Sequence, residues 1–144
     1  MHPYPHIYKV SAAAASVGIV TLGAASLPDL ESAPPPEFDG PGGYWSPESL
    51  LCAAVADCFI LTFRAIARAS RFDWSRLECR VEGTLDRVER VPKFKSFVTY
   101  ATLQVAPGAD ATKARALLAK AEHDCLISNS LSGARNLEAD VIGA

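Results

Sequence analysis

No charge of either sign dominates this chain. Fourteen Lys and Arg stand against sixteen Asp and Glu, a formal net charge of -2, which leaves no electrostatic case for nucleic acid or an anionic membrane as partner. Closely spaced cysteine pairs are missing too. Cys52, Cys58, Cys79 and Cys125 are scattered, and a zinc site built from Cys52, Cys58, His123 and Cys125 would lack the tight ligand spacings that such sites use; no metal and no cofactor is expected. There are no internal repeats and no low-complexity tail. No apolar run approaches the roughly 20 uninterrupted residues of a membrane span, so none is expected. Basic residues are almost absent from the first part of the chain: Lys9 is the one Lys or Arg before Arg64.

What is present fits one soluble domain over residues 1–144, since 144 residues can bury a real core without disulfide staples. The even cysteine count therefore reads as a reducing, cytoplasmic setting with one functional thiol pair. Val10–Leu27 is apolar and Ala-rich behind Lys9. It lacks the Leu-rich centre of a signal peptide and contains a strand-like Gly18–Leu22, so it is read as structure.

The stretch from Ser46 to Arg71 organises the rest. Ser46 is an N-cap, Pro47 suits the first helical position, and Glu48 complements the helix dipole in the first turn. From Leu50 to Phe63 only Asp57 and Thr62 are polar, which predicts a helix buried on most sides. Before it, residues 6–14 and 17–24 read as a hairpin of short strands, and 28–44 as loop, with Pro34-Pro35-Pro36 and Gly40-Pro41-Gly42-Gly43 as its punctuation. After it, Leu77–Arg90 alternates, with Cys79, Val81, Gly83 and Leu85 on one face. Lys95–Val105 is its partner across a turn at Val91-Pro92-Lys93. Residues 110–123 form an amphipathic helix with Ala114, Leu117, Leu118 and Ala121 as its stripe, and residues 136–142 a last strand. Strand pairs on either side of one long helix predict an α+β fold, with antiparallel sheets around a buried central helix, rather than βαβ winding.

The thiols are the candidates for chemistry. Cys79 points into the apolar face of its strand and reads as core. Cys52 and Cys58 are six residues apart, so at about 100° per residue they lie on different helix faces. Cys58 by itself would pass for packing. Cys125 follows a helix end and precedes the polar Ser128-Asn129-Ser130, which places it near solvent. A thiol on a rigid helix and another at a helix–loop junction suit a nucleophile and a resolving partner, although spacing alone does not bring them together.

The runs Gly40-Pro41-Gly42-Gly43, Ser46–Leu51, Ala53-Ala54 and Cys58, followed by Ala121-Glu122, Cys125 and Ile127–Leu131, resemble the OsmC/Ohr family of osmotically inducible and organic-hydroperoxide-resistance proteins. The order of elements matches over almost the whole chain. The resemblance implies an interlocked homodimer around paired central helices. It also implies a thiol peroxidase in which Cys58 attacks an organic hydroperoxide, Cys125 resolves the sulfenic acid as a disulfide, and Glu48 supplies the carboxylate of the site. A lipoyl-type dithiol or small thiol would be the reductant. Tyr44, Trp45, Phe59 and Phe63, close by in sequence, are expected to line an apolar substrate pocket.

One departure sets this chain apart. The family's pattern includes an arginine in the N-terminal third that holds the reactive thiolate, and here Glu37 stands near that place. A negative charge disfavours a thiolate, and only Lys9 offers an N-terminal cation. The alternative reading is thus a non-peroxidatic member of the fold, a binder of small hydrophobic molecules or a thiol redox sensor.

Overall fold

The computed structural model describes all 144 residues. By its contacts the chain divides into two units, Met1–Leu50 and Leu51–Ala144.

The first unit holds a three-stranded antiparallel sheet of β1 (Ser11–Ala13), β2 (Val20–Gly23) and β3 (Leu30–Ser32), in that order. The expected hairpin is there, in shorter form: Ser11 pairs with Gly23 and Ala13 with Thr21. β3 lies inside the stretch expected to be loop, and pairs Val20 with Ser32. Three residues beside a proline run carry too little alternation to announce a strand. Beyond it the Ala33 N–H donates to the Trp45 carbonyl at 2.9 Å, and Pro36–Phe38 make one 3-10 turn.

Gly40 closes this turn, its N–H donating to the Pro35 carbonyl at 3.1 Å. A Cβ on Gly40 would sit 1.6 Å from the Pro34 carbonyl oxygen, so no other residue fits without moving backbone. The chain then reaches Ser46, which is buried. The Ser46 hydroxyl accepts from the Ser49 N–H at 3.1 Å, and the Ser49 hydroxyl accepts from the Ser46 N–H at 2.8 Å. This is the reciprocal capping box with serine in place of the usual Glu or Gln, and it starts α1 (Pro47–Ala69).

In the second unit α1 runs over a sheet of β4 (Arg76–Val88), β5 (Val91–Gln104) and β6 (Ala134–Ile142), with α2 (Ala111–Asp124) and the single turn α3 (Leu126–Asn129) between the last two strands. The β4–β5 hairpin turns at Glu89-Arg90, both left-handed with φ of 52° and 69°, rather than at Val91–Lys93. Pro92 consequently stands inside β5, opposite Arg87. Two consecutive left-handed residues are usually announced by Asn-Gly, and Glu-Arg hides the turn. The order of the sheet is β4-β5-β6, and β6 pairs with β5 in parallel, Phe97 beside Arg135 and Leu103 beside Val141. The α+β class stands, with one β5–α2–β6 crossover that the expected winding did not include.

α1 buries one stripe, Val55, Phe59, Phe63 and Ala67, at the four-residue spacing of a single helix face. Phe59, Phe63 and Ala67 of that stripe meet Leu77, Ala101, Leu103 and Val105 of the sheet and its C-terminal continuation, and Ala114, Leu117, Leu118 and Ala121 of α2. Each large side chain wholly buried here contributes roughly 1.5–3 kcal/mol, and Phe63 adds an edge contact with Trp74 at 5.3 Å between centroids. Two expectations for α1 change. It is buried on one side of this chain, not most sides, with Leu61 50% exposed. At 23 residues it is also long and apolar enough to cross a membrane by length and composition, so length does not argue against a span; its packing on the sheet and α2 gives it the role of a core helix. The other face of the sheet is charged, with Arg76–Glu78 and Lys95–Asp86 ion pairs and the Arg80 guanidinium 4.0 Å over the Tyr100 ring.

Replacing Gly40 with Ala forces the Pro34 carbonyl aside, and the clash is with backbone, which cannot rotate away. The expected loss is about 1–3 kcal/mol or more, read as a lower urea midpoint at unchanged slope. An unchanged midpoint would contradict the close approach.

Candidate functional site: a pair of neighbouring thiols

The stripe sets the rotation of α1 and with it the direction of Cys58. Cys58 precedes the buried Phe59 by one residue, about 100° around the helix, and so leaves the core stripe sideways. It is half-buried, with its sulfur 3.8 Å from the Thr62 hydroxyl one turn on.

Cys125 comes from the other side. It ends α2 and caps α3, in extended conformation between the two. Contrary to the expectation of solvent contact it is 1% exposed. The polar stretch after it accounts for the difference: Ser128 turns inward, itself buried, and hydrogen-bonds the thiol through its side chain and backbone. The Cys58 thiol is a neighbour of Cys125, near enough to act on its ionisation. Burial pushes the Cys125 thiol above its ordinary value of 9.0; the Ser128 hydrogen bonds oppose this, and the neighbouring Cys58 adds to it.

A residue that the sequence did not flag holds this corner. Arg135, on β6, donates from Nε to Glu122 Oε1 at 2.7 Å and from a terminal nitrogen to Asn129 Oδ1 at 2.5 Å, and also reaches the Glu122 carbonyl. Both members of its ion pair are largely shielded, at 24% and 22% exposure. The planar guanidinium thereby ties the last turn of α2, the turn α3 and β6 together around Cys125. The available signal was Glu122 and Asn129 flanking Cys125 at three and four residues, with an arginine alternating inward on the next strand.

The other two thiols take different places. Cys79 faces the core from β4, and burial, with Cys125 as the second cause, pushes it up to about 11. Cys52 packs on β4: a Cβ on Gly83 would meet its sulfur at 2.8 Å. Burial raises it, and a hydrogen bond from the Gly83 backbone partly compensates. Cys52 and Cys58 thus diverge, as their spacing requires.

In the first unit Glu48 lies in the first turn of α1 with Oε2 buried and without a hydrogen-bond partner. It borders an apolar recess of about 410 Å³ formed with Val20, Ser32, Ala33, Pro35 and Phe38. A buried carboxylate oxygen left unpaired is unfavourable and calls for a donor or cation. Tyr44 and Trp45 are about half exposed and line a separate groove with Thr21, Asp29 and Glu31. Phe59 and Phe63, expected to join them around a substrate, are 1% and 0% exposed and fill the core instead. They lie on the inward stripe of α1, so closeness in sequence to Cys58 did not make them pocket walls.

Comparison with known proteins places this arrangement. Residues 40–140 match the OsmC-like protein family model, a range that includes Gly40, Ser46, Glu48, Cys58, Cys125 and Arg135. The chain is 30% identical over 102 residues to the uncharacterized protein YmaD of Bacillus subtilis (strain 168), covering 69% of this chain and 68% of that one. Its fold is similar to that of an organic hydroperoxide resistance protein from Legionella pneumophila, at 26% identity and a TM-score of 0.76, over 96% of this chain and 98% of that one. It also superposes on an OsmC-like protein of unknown function from Vibrio cholerae with a TM-score of 0.83 at 14% identity, over 94% and 99% of the two chains. With the family model covering most of its length, the chain belongs to the OsmC-like protein family.

Proposed function

We propose that this protein is a thiol peroxidase that reduces organic hydroperoxides. The observation that carries the reading is that Cys58 of α1 and the buried Cys125 of the α2–α3 junction are neighbours. The similarity to a protein named for organic hydroperoxide resistance supports it. In the reaction the Cys58 thiolate attacks the outer peroxide oxygen, the O–O bond breaks, and an alcohol leaves once its oxygen is protonated. The Cys58 sulfenic acid then condenses with the Cys125 thiol, releasing water and forming a disulfide, which an outside dithiol of lipoyl type or a small thiol reopens.

The working unit is a homodimer. The outward face of α1, with Leu61 50% exposed, and the N-terminal Ile7, Tyr8 and Val10, at 77%, 87% and 83%, form more apolar surface than a lone soluble chain usually shows. Glu48 and Cys58 are about 15 Å apart along α1 at 1.5 Å per residue. We therefore assign Glu48 to the Cys58 site of the second copy, where its unpaired oxygen would meet a donor.

A second reading keeps a specific observation behind it. Among residues 1–63 only Lys9 is a Lys or Arg, and the hydrogen-bond partner of Cys58 is the neutral Thr62 hydroxyl rather than a cation. The apolar recess beside Glu48 would then take a small hydrophobic molecule, with no turnover of peroxide.

A steady-state assay with tert-butyl or cumene hydroperoxide and dihydrolipoamide separates the two: turnover supports the peroxidase, and none supports the binder. Cys58→Ser should abolish turnover. Cys125→Ser should permit one oxidation and then stall, with one oxygen and later two added to Cys58 by mass; no added oxygen on Cys58 would overturn its assignment as nucleophile. Mixing inactive Glu48→Ala chains with inactive Cys58→Ser chains should restore activity if the site is shared between copies, and a mixture as inactive as its parents argues against sharing.

The Cys125 thiol also predicts a pH dependence. Its raised value means fewer thiolates at neutral pH, so closure of the disulfide is slowed there. In single turnover, closure should accelerate roughly tenfold per pH unit through neutrality and continue to rise past 9.0, the ordinary thiol value. A plateau below about pH 8 would show that Cys125 attacks from an environment that lowers its value.

A further inference from the structure

Cys125 sits at a joint in the chain. It ends α2, opens α3 and is itself extended, with φ of -61° and ψ of 107°. Two backbone hydrogen bonds hold it there. Its N–H donates to the Glu122 carbonyl at 3.4 Å, and its carbonyl accepts from the Asn129 N–H at 2.9 Å. Glu122 and Asn129 are also the two residues that Arg135 grips. Its Nε donates to Glu122 Oε1 at 2.7 Å, one terminal nitrogen to Asn129 Oδ1 at 2.5 Å, and the other to the Glu122 carbonyl. Arg135 itself stands in β6 beside the buried Phe97 of the central strand β5. One guanidinium thus ties both sides of the joint to the sheet.

We propose that Arg135 is a positioning residue for the resolving step, holding the backbone of Cys125 so that its sulfur meets the sulfur of Cys58. The inference rests on the peroxidase reading for the pairing of these two thiols. In that step the Cys125 sulfur attacks the sulfur of the Cys58 sulfenic acid. The S–S bond forms, the S–O bond breaks, and the hydroxyl leaves as water with the proton of the Cys125 thiol. Attack on the peroxide by Cys58 comes earlier. It is carried by α1, whose rotation is set by its own buried stripe, and so does not draw on Arg135. The arginine therefore acts on closure of the disulfide and not on the first oxidation.

Net stability is a poor account of this arginine. Arg135 and Glu122 are shielded, at 24% and 22% exposure, and a shielded ion pair loses hydration on both partners, so that apolar side chains of the same volume often stabilise as well. What the fork adds is geometry. The last carbonyls of a helix have no partner within it; without Arg135 the Glu122 carbonyl would keep only the long bond from the Cys125 N–H. Placement matters for the reaction, since a misplacement of ~1 Å costs on the order of a hundredfold in rate. A lysine cannot replace the fork, because an ammonium is a point charge on a flexible stem with no fixed plane of donors.

The test compares wild type with Arg135→Lys in two measurements. In single turnover with tert-butyl hydroperoxide, followed by acid quench and peptide mass mapping, Arg135→Lys should form the Cys58 sulfenic acid at the wild-type rate and close the disulfide about tenfold or more slowly. At excess peroxide more of its Cys58 should then pass on to sulfinic acid. In equilibrium with glutathione, which needs no peroxide, its Cys58–Cys125 disulfide should be about tenfold easier to reduce, a potential about 30 mV less negative. Closure at the wild-type rate, or a slowing shared equally by both steps, overturns the proposal. If Arg135→Lys does not fold, Asn129→Ala, which removes one acceptor and leaves Arg135 in place, decides by the same readouts: slower closure supports the proposal and unchanged closure overturns it. A wild type that forms the Cys58–Cys125 disulfide with diamide but never with peroxide ends the peroxidase reading alone; the glutathione equilibrium then decides the role of Arg135, and an unchanged potential overturns it. A wild type that forms no such disulfide with either oxidant overturns both.

Discussion

The packing of one stripe of α1, Phe59, Phe63 and Ala67, against the β4–β5–β6 sheet and α2 is the constraint on which the site depends. A helix fixed along one face has no rotational freedom left. Everything not on the stripe is placed by its angle from it: Cys52 against Gly83, Cys58 toward Cys125, and Leu61 outward. Repacking the stripe would therefore move the thiol without touching it, because core side chains shift in concert.

The second thiol is positioned by polar contacts rather than by packing alone. Ser128 supplies hydrogen bonds to its sulfur, and the Arg135–Glu122–Asn129 network fixes the backbone around it. Buried and shielded polar groups of this kind are favourable only when all members are satisfied. Arg135 meets three acceptors with one rigid fork, which a lysine could not do. The result is a thiol kept out of water yet held against its partner, a setting that slows its ionisation and preserves its geometry.

Much of this was legible in the chain. The stripe of α2, the inward face of Cys79, Val81 and Gly83 on β4, and the cap at Ser46 follow from spacing and residue type, since periodicity and capping are local physics. The family resemblance carried by Gly40–Leu51 and Cys58 was likewise readable. What stayed hidden was non-local or disguised. The parallel pairing of β6 depends on where a crossover returns, which no alternation records. The Glu89-Arg90 turn lacks the residues that usually mark it. Ser128 looked like solvent chemistry because polarity was read without its partner, and Phe59 and Phe63 looked like pocket walls because adjacency in sequence was read as adjacency in space. Arg135 was invisible for the same reason: its three acceptors come together only in the fold.

The β5–α2–β6 crossover has a consequence for how the protein matures. Cys58 and Cys125 are separated by the whole β4–β5 hairpin and α2, so nothing local holds them together in an unfolded chain. Loop-closure entropy opposes their meeting until the long-range contacts of the sheet reward it, and parallel pairings form late for that reason. The nascent chain thus carries its thiols apart. The pair exists only where α1 and the end of α2 are packed together, so an oxidisable site is made by the fold and is absent from the unfolded chain.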